Sequence, residues 1–189
     1  MTTAIQLQRL QANDAEAVLN FERENRSFFE QWIASRGDHY YTLPAVAESI
    51  KQADDLARAN KEFHFLAWSE HTLVGRLTLR GIETVHYKKA SLGYRFSQHH
   101  GGRGYATAAV RLVSEFAFRE LNLRRLETQI IIDNLASRAI MEKCGFKQFG
   151  HAHAAVIRHD QWHDLLHYEL QNPALMIETN THGNAIATD

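Results

Sequence analysis

The stretch Gln98–Val110, QHHGGRGYATAAV, holds three glycines within four positions and then a clean helical run. Glycine is costly in a chain unless the backbone needs positive φ or close approach to something. A strand, ASLGYRFS, ends near Ser97 and a helix opens near Gly104. The first turn of a helix leaves backbone N–H groups unpaired, and its dipole adds positive potential there. A phosphate or pyrophosphate is the natural ligand of such a turn. Gly102 and Gly104 would let the backbone curl around that anion, and Arg103 between them could add a charge-assisted bond. The same residues would also serve a plain strand-to-helix turn.

Two familiar phosphate loops fail here. A P-loop closes on Gly-Lys-Ser/Thr, whereas Gly104 is followed by Tyr105 and Ala106. A dinucleotide fingerprint wants a third small residue and an acid about 20 residues on. Thr107 stands where the third glycine would be, and the next strand ends too far away, at Asp133.

Working outward, AIQLQRL alternates as a strand. NDAEAVLNFEREN reads as a helix capped by Asn13 or Asp14, and RSFFEQWIAS as a second short helix or turn. TLPAVAESIKQADDLARAN is a helix with Thr42 as cap and Pro44 in the first turn. FHFLAWSE and TLVGRLTLRGIE are strands around a tight turn. After the glycine segment, the helix from about 104 to 121 presents Ala109, Leu112, Val113, Phe116 and Ala117 on one face. LETQIII is nearly continuous in apolar residues, as for a strand buried on both faces. NLASRAIMEKCGF is a short helix ended by Gly145, and KQFGHAHAAVI and WHDLLHYEL close the chain as strands. The order predicts an α+β fold: one domain over residues 1–175, with a mixed, mostly antiparallel sheet flanked by helices. Residues 176–189 are polar and aperiodic, the pattern of a disordered tail.

Composition narrows the function. The chain has 189 residues, with Lys and Arg (21) balanced by Asp and Glu (22). No global basic field draws it to nucleic acid or to an anionic membrane, and no apolar run approaches the ~18 residues that span a bilayer. The start, MTTAIQLQRLQANDAEAV, lacks the features of a secretion signal. One cysteine, Cys144, forbids an internal disulfide and fits a reducing, cytoplasmic setting.

The glycine segment resembles motif A of the GNAT acetyltransferases, Gln/Arg-x-x-Gly-x-Gly/Ala, in the form His99-His100-Gly101-Gly102-Arg103-Gly104. His99 replaces the usual Gln or Arg, and Ala108 replaces an acid common after the loop. NLASRAIMEKCGF resembles the same family's later helix through Asn134, Ser137, Glu142, Lys143, Gly145 and Phe146. ENRSFFEQW, LGYRF and HDQWHDLLHYEL are similar to segments of the RimJ/RimL-type acetyltransferases of ribosomal-protein N-termini. The resemblance runs from about residue 4 to 172.

That resemblance implies a GNAT fold, acetyl-CoA as co-substrate and no metal. The backbone around Phe96, Ser97 and His99 would pair with the pantetheine arm. Gly102, Arg103, Gly104, Tyr105 and Ala106 would hold the pyrophosphate. Asn134 would bind pantetheine or a water, and Ser137 would donate the proton to the leaving sulfur. Trp32 and Trp162 would border the acceptor cleft.

No carboxylate stands on ASLGYRFS to act as base. An α-amine, with pKa near 8, is about a tenth neutral at pH 7; making a lysine neutral costs roughly 3 to 5 kcal/mol more. The site therefore suits an N-terminal amine. Glu83, His86 and His99 are candidate bases by location only. His163 and His167 mimic a zincin pair, but on a strand they stand roughly 13 Å apart. His151 and His153 read as surface residues, and Cys144 as a packed thiol rather than a nucleophile. The expected function is acetylation of a protein N-terminus by a monomer or homodimer. The rivals are transfer to a small amine (polyamine, amino acid or aminoglycoside) and an acyl-CoA-binding module without catalysis.

Overall fold

In the computed structural model, residues 5–174 are described. Their strands are β1 (Gln6–Arg9), β2 (Phe63–Ser69), β3 (Thr72–Glu83), β4 (Lys89–Phe96), β5 (Arg125–Ile131), β6 (Lys147–Arg158) and β7 (Gln161–Gln171). The helices are α1 (Ala15–Glu24), α2 (Arg26–Phe29), α3 (Leu43–Arg58), α4 (Tyr105–Arg119) and α5 (Leu135–Lys143). The seven strands form one sheet in the order β1-β2-β3-β4-β5-β7-β6. Only β4 and β5 pair in parallel, joined through α4, so the expected α+β architecture stands. The expected tail, 176–189, lies outside the described residues.

Period-two alternation gives β3 and β4 two distinct faces. Leu77, Leu79 and Leu92 are buried in a core that also takes Ala109, Val110 and Val113 of α4 and Met141 of α5. The opposite set, Arg76, Thr78 and Arg80 of β3, lies beside Arg95, Gly93 and Ser91 of β4. Helices α1 and α3 cover part of that second face through Val18, Leu19, Phe21, Val46 and Ile50, which pack against Leu66 and Leu73.

Three local expectations need correction. The buried stripe of α4 runs through Ala109, Val110, Val113 and Ala117, while Leu112 is 38% exposed. Strand β5 is not buried on both faces: Leu126, Thr128 and Ile130 are buried, but Gln129 faces outward. Neither Asn13 nor Asp14 caps α1 forward. Asp14 ends a short 3₁₀ turn, and its carboxylate reaches back to accept from the Gln11 N–H at 2.8 Å. Thr42 does cap α3, accepting from the Ala45 N–H. Gly145 ends α5 at φ +84, where Phe146 N–H bonds Met141 C=O at 2.9 Å.

Candidate active site

Pairing of β4 with β5 runs only from Lys89–Arg125 to Ser91–Glu127. Beyond Ser91 the two strands separate, although β4 continues to Phe96 and β5 to Ile131. The gap leaves strand-edge backbone groups for something other than a neighbouring strand. Two cavities flank it.

The first is a groove of about 700 Å³ on the α4/α5 face. It is lined by Phe96, Ser97, Gly102, Gly104, Tyr105, Ala106, Asn134 and Ser137, with mainly apolar neighbours such as Phe28, Phe29, Leu135 and Ile140. Gly102 and Gly104 have φ of +75 and +80, values that disfavour any side chain. The first intrahelical bond of α4 is Ala108 N–H to Gly104 C=O at 3.0 Å. The N–H groups of Tyr105, Ala106 and Thr107 therefore have no acceptor within the helix and can take an anion. His100 also lines the groove, and its buried Nδ1 has no hydrogen-bond partner among the described residues. Turned amides, a helix dipole and an orphaned polar atom beside apolar walls fit a pyrophosphate with a long thin arm.

The second cavity, about 350 Å³, lies on the polar sheet face. The two share Trp32, Ile33, Tyr94, Arg95, Asn134 and Ser137. Asn134 caps α5, its Oδ1 accepting from the Ser137 N–H at 3.0 Å, so the helix start is held against the strand gap. Tyr94 donates to the Ser137 carbonyl at 3.3 Å, and burial pushes its phenol well above the ordinary range. Ser137 thus stands where groove and cleft meet.

Most of the expected residues converge, but some do not. His99 is exposed on the 3₁₀ turn Gln98–His100 and, with Arg103, is absent from the groove lining. Its neighbour His100 faces inward instead. Trp32 lines both cavities, whereas Trp162 is 65% exposed, paired with Ile157 on the β6–β7 hairpin, and lines neither. Glu83 and His86, two of the candidate bases, line neither cavity. The Glu83 carboxylate accepts from the N–H groups of Val85, His86, Tyr87 and Lys88, which hold it down to about 2. It closes the β3–β4 turn and lines neither cavity.

His163 and His167 lie on strand β7, as expected. The exposed pair His151 and His153 both contact Asp164 Oδ2, at 2.7 and 3.0 Å. Burial raises the Cys144 thiol, whose Sγ lies 3.6 Å from Thr107 C=O, as suits a packed thiol.

Three elements escaped sequence reasoning. Asn25 is buried and clamps α1 to the glycine segment: its Nδ2 donates to Phe21 C=O at 2.9 Å, and its Oδ1 accepts from Gln98 N–H at 3.3 Å. Tyr94 sits at the junction, and the register that sets it opposite Leu77 is not visible in the sequence. Five arginines (Arg36, Arg76, Arg80, Arg95 and Arg158) line the cleft, and no carboxylate does among the described residues. Beneath them Glu22, 1% exposed, binds Arg76 closely and Arg95 at 2.9 Å. Burial brings the Arg95 guanidinium down to about 10, with Glu22 opposing the shift, so it remains charged near neutral pH.

A glycine loop before a helix, a parallel crossover and a split between its strands are the features of an acetyltransferase fold of the GNAT type. The chain belongs to the GNAT acetyltransferase family: the family's model, "Acetyltransferase (GNAT) domain", matches residues 5–147. It is an N-acetyltransferase of this type. It is 35% identical to "Probable N-acetyltransferase YjcK" of Bacillus subtilis (strain 168), over 89% of this chain and 94% of the relative. Its fold is shared with the ribosomal-protein-S5-alanine acetyltransferase of Vibrio fischeri, with TM-score 0.85, 22% identity and coverage of 89% and 93%. It is shared too with the spermidine N-acetyltransferase of Vibrio cholerae, solved with CoA and spermine, with TM-score 0.75, 19% identity and coverage of 88% and 95%.

Proposed function

We propose that the protein transfers acetyl from acetyl-CoA to the free α-amine of a protein N-terminus, within a ternary complex. The carrying observation is the acceptor cleft, which reaches Ser137 and is lined by arginines without a carboxylate among the described residues. A polyamine needs acidic partners for its ammonium groups, and five guanidiniums repel it. A lysine amine would need a base to become neutral, whereas an α-amine is partly neutral already.

In this reading the pyrophosphate rests on the amides of Gly102–Thr107 and the pantetheine arm lies in the β4–β5 gap. The neutral amine attacks the thioester carbonyl: a C–N bond forms, the C–S bond breaks and the amine nitrogen gives its proton to water. Ser137 Oγ–H donates to the departing sulfur and is reprotonated from solvent. Trp32, at the junction, flanks the incoming chain. A ribosomal protein is one such acceptor, the kind named for the S5-alanine enzyme whose fold the chain shares.

Free-thiol release from acetyl-CoA tests this with two acceptor panels: peptides with free or blocked N-termini, and small amines including spermine and aminoglycosides. Turnover on peptides only, abolished by blocking, is expected. Turnover confined to small amines refutes the acceptor assignment. Bound acetyl-CoA with no turnover on either panel refutes catalysis by this site.

A further inference from the structure

The arginines of the cleft are more than a polar surface. The whole chain carries a formal charge of −1, so their concentration in one cavity is local and not a by-product of a basic protein. They also divide into two sets. Arg76 and Arg95 share the buried Glu22 and are structurally engaged. Arg36, Arg80 and Arg158 make no ion pair with a carboxylate among the described residues.

Each of these three is seated toward the cleft. Arg80 folds back along β3, and a Cβ on Gly93 would stand 2.7 Å from its guanidinium. Glycine at 93 therefore makes room for a cation on the sheet surface. The Arg36 guanidinium stacks over the Tyr40 ring at 4.3 Å. Arg158 reaches the cleft from β6, and its buried Nε has no partner among the described residues.

His64 lines the same cleft, with Glu62 Oε1 2.7 Å from its Nε2, and its ring is pushed down to about 4 by burial and then by Arg76, Arg80, Arg36 and Arg95. Pyrophosphate is not the natural target of these charges. The amides at the start of α4 face the other cavity, and Arg36, Arg80 and Arg158 line only the acceptor side.

Resting on the N-terminal acetyltransferase reading, we infer that the preferred acceptor carries negative charge just behind its amine, as an N-terminus followed by Asp or Glu, and that Arg36, Arg80 and Arg158 select it. An extended peptide advances ~3.3 Å per residue, so its second to fourth side chains lie within the reach of long arginines around a cleft of this size. Such paired charges are opposite in sign and open to solvent, so salt must weaken the selection.

The experiment compares kcat/KM for three peptides with the same first residue and with acidic, neutral or basic residues at positions two to four. Each is run at low and high salt, with the wild-type protein, the double variant Arg80→Gln/Arg158→Gln, and Gly93→Ala. The last removes the seat of Arg80 by displacing only the tip of a flexible side chain.

The acidic peptide is expected to exceed the neutral one by about tenfold at low salt, mainly through KM, with the basic one poorest. The preference falls toward unity at high salt and in both variants, while calorimetric binding of acetyl-CoA is retained. A neutral or basic optimum, or an acidic preference that survives in the double variant, overturns the inference. Failure of the peptide reading itself looks different. If no peptide turns over but an amino acid phosphate does, the N-terminal assignment falls and the charge selection stands; spermine as the best acceptor refutes both.

Discussion

Replacing Glu22 is the sharpest test of how the cleft is held together. The side chain is 1% exposed and lies between Arg76, buried with it, and Arg95 at 2.9 Å. Tyr40 Oη, 3.4 Å from Arg76 Nη1, is the remaining nearby polar group. Glu22→Gln keeps the shape and removes the charge, leaving two guanidiniums facing one another out of water. Breaking a buried ion pair from one side costs about 3–5 kcal/mol, because the partner charge loses its compensation. For a domain of this length each kcal/mol moves Tm by about 2–4 °C, so a fall of about 6–20 °C follows.

Urea unfolding with an unchanged m-value is the assay. The control is Arg58→Gln, which breaks an i,i+4 pair with Asp54 whose side chains are 77% and 52% exposed; it should lose no more than about 0.5 kcal/mol. A loss below about 1 kcal/mol in Glu22→Gln, similar to the control, would refute the reasoning. It would mean that water already reaches the triad and that the cleft charges are not anchored from below.

Other consequences are direct. Ser137→Ala removes the proposed proton donor but leaves its N–H on Asn134, so kcat should fall about 100-fold with the acetyl-CoA KM little changed; an unaltered kcat would transfer the role to another group, with Tyr94, whose hydroxyl donates to the Ser137 carbonyl, the next candidate. Gly75→Ala places a Cβ 2.2 Å from the Phe96 ring, which lines the coenzyme groove; the overpacking should cost about 1–3 kcal/mol and raise the acetyl-CoA KM, and calorimetry showing wild-type affinity would contradict it. His64 has a folded value of about 4 against an ordinary 6.5. Between those pH values the unfolded chain binds a proton that the folded chain does not, so stability falls as pH drops through that window, by at most about 2 kcal/mol at pH 5. Urea midpoints at pH 7.5 and 5 should show this slope in the wild type and less of it in His64→Gln; equal slopes would rule it out.

The order of strands and helices was legible because each element carries its own period and its own punctuation. Thr42 before Pro44, and Gly145 after Lys143, mark real helix ends. The groove proposed for the coenzyme was legible for the same reason: a glycine loop and an Asn-to-Ser helix start are local signals. The acceptor side was not. Arg76, Arg80, Arg95 and Arg158 come from three strands, Arg36 from a loop and Glu22 from a helix. In one dimension each is an ordinary solvated charge. Trp162 and Glu83 failed for the converse reason. Both stand at plausible points in the chain, but a hairpin carries one outward, and four backbone amides occupy the other.

The alternation of β3 and β4 explains how one short piece of sheet can serve both substrates in the proposed reaction. Leu77, Leu79 and Leu92 face the helices, and the same register sends Arg76, Arg80, Gly93 and Arg95 to the acceptor side. A one-residue slip would drive the arginines beneath α4 and expose the leucines, so burial of the core and presentation of the cationic cleft are enforced together. The β4–β5 gap then joins the two faces at Ser137 without either having to deform. On this arrangement acceptor choice can change by substitution on the polar face alone, while the coenzyme groove, built from the opposite face and the turn before α4, stays as it is.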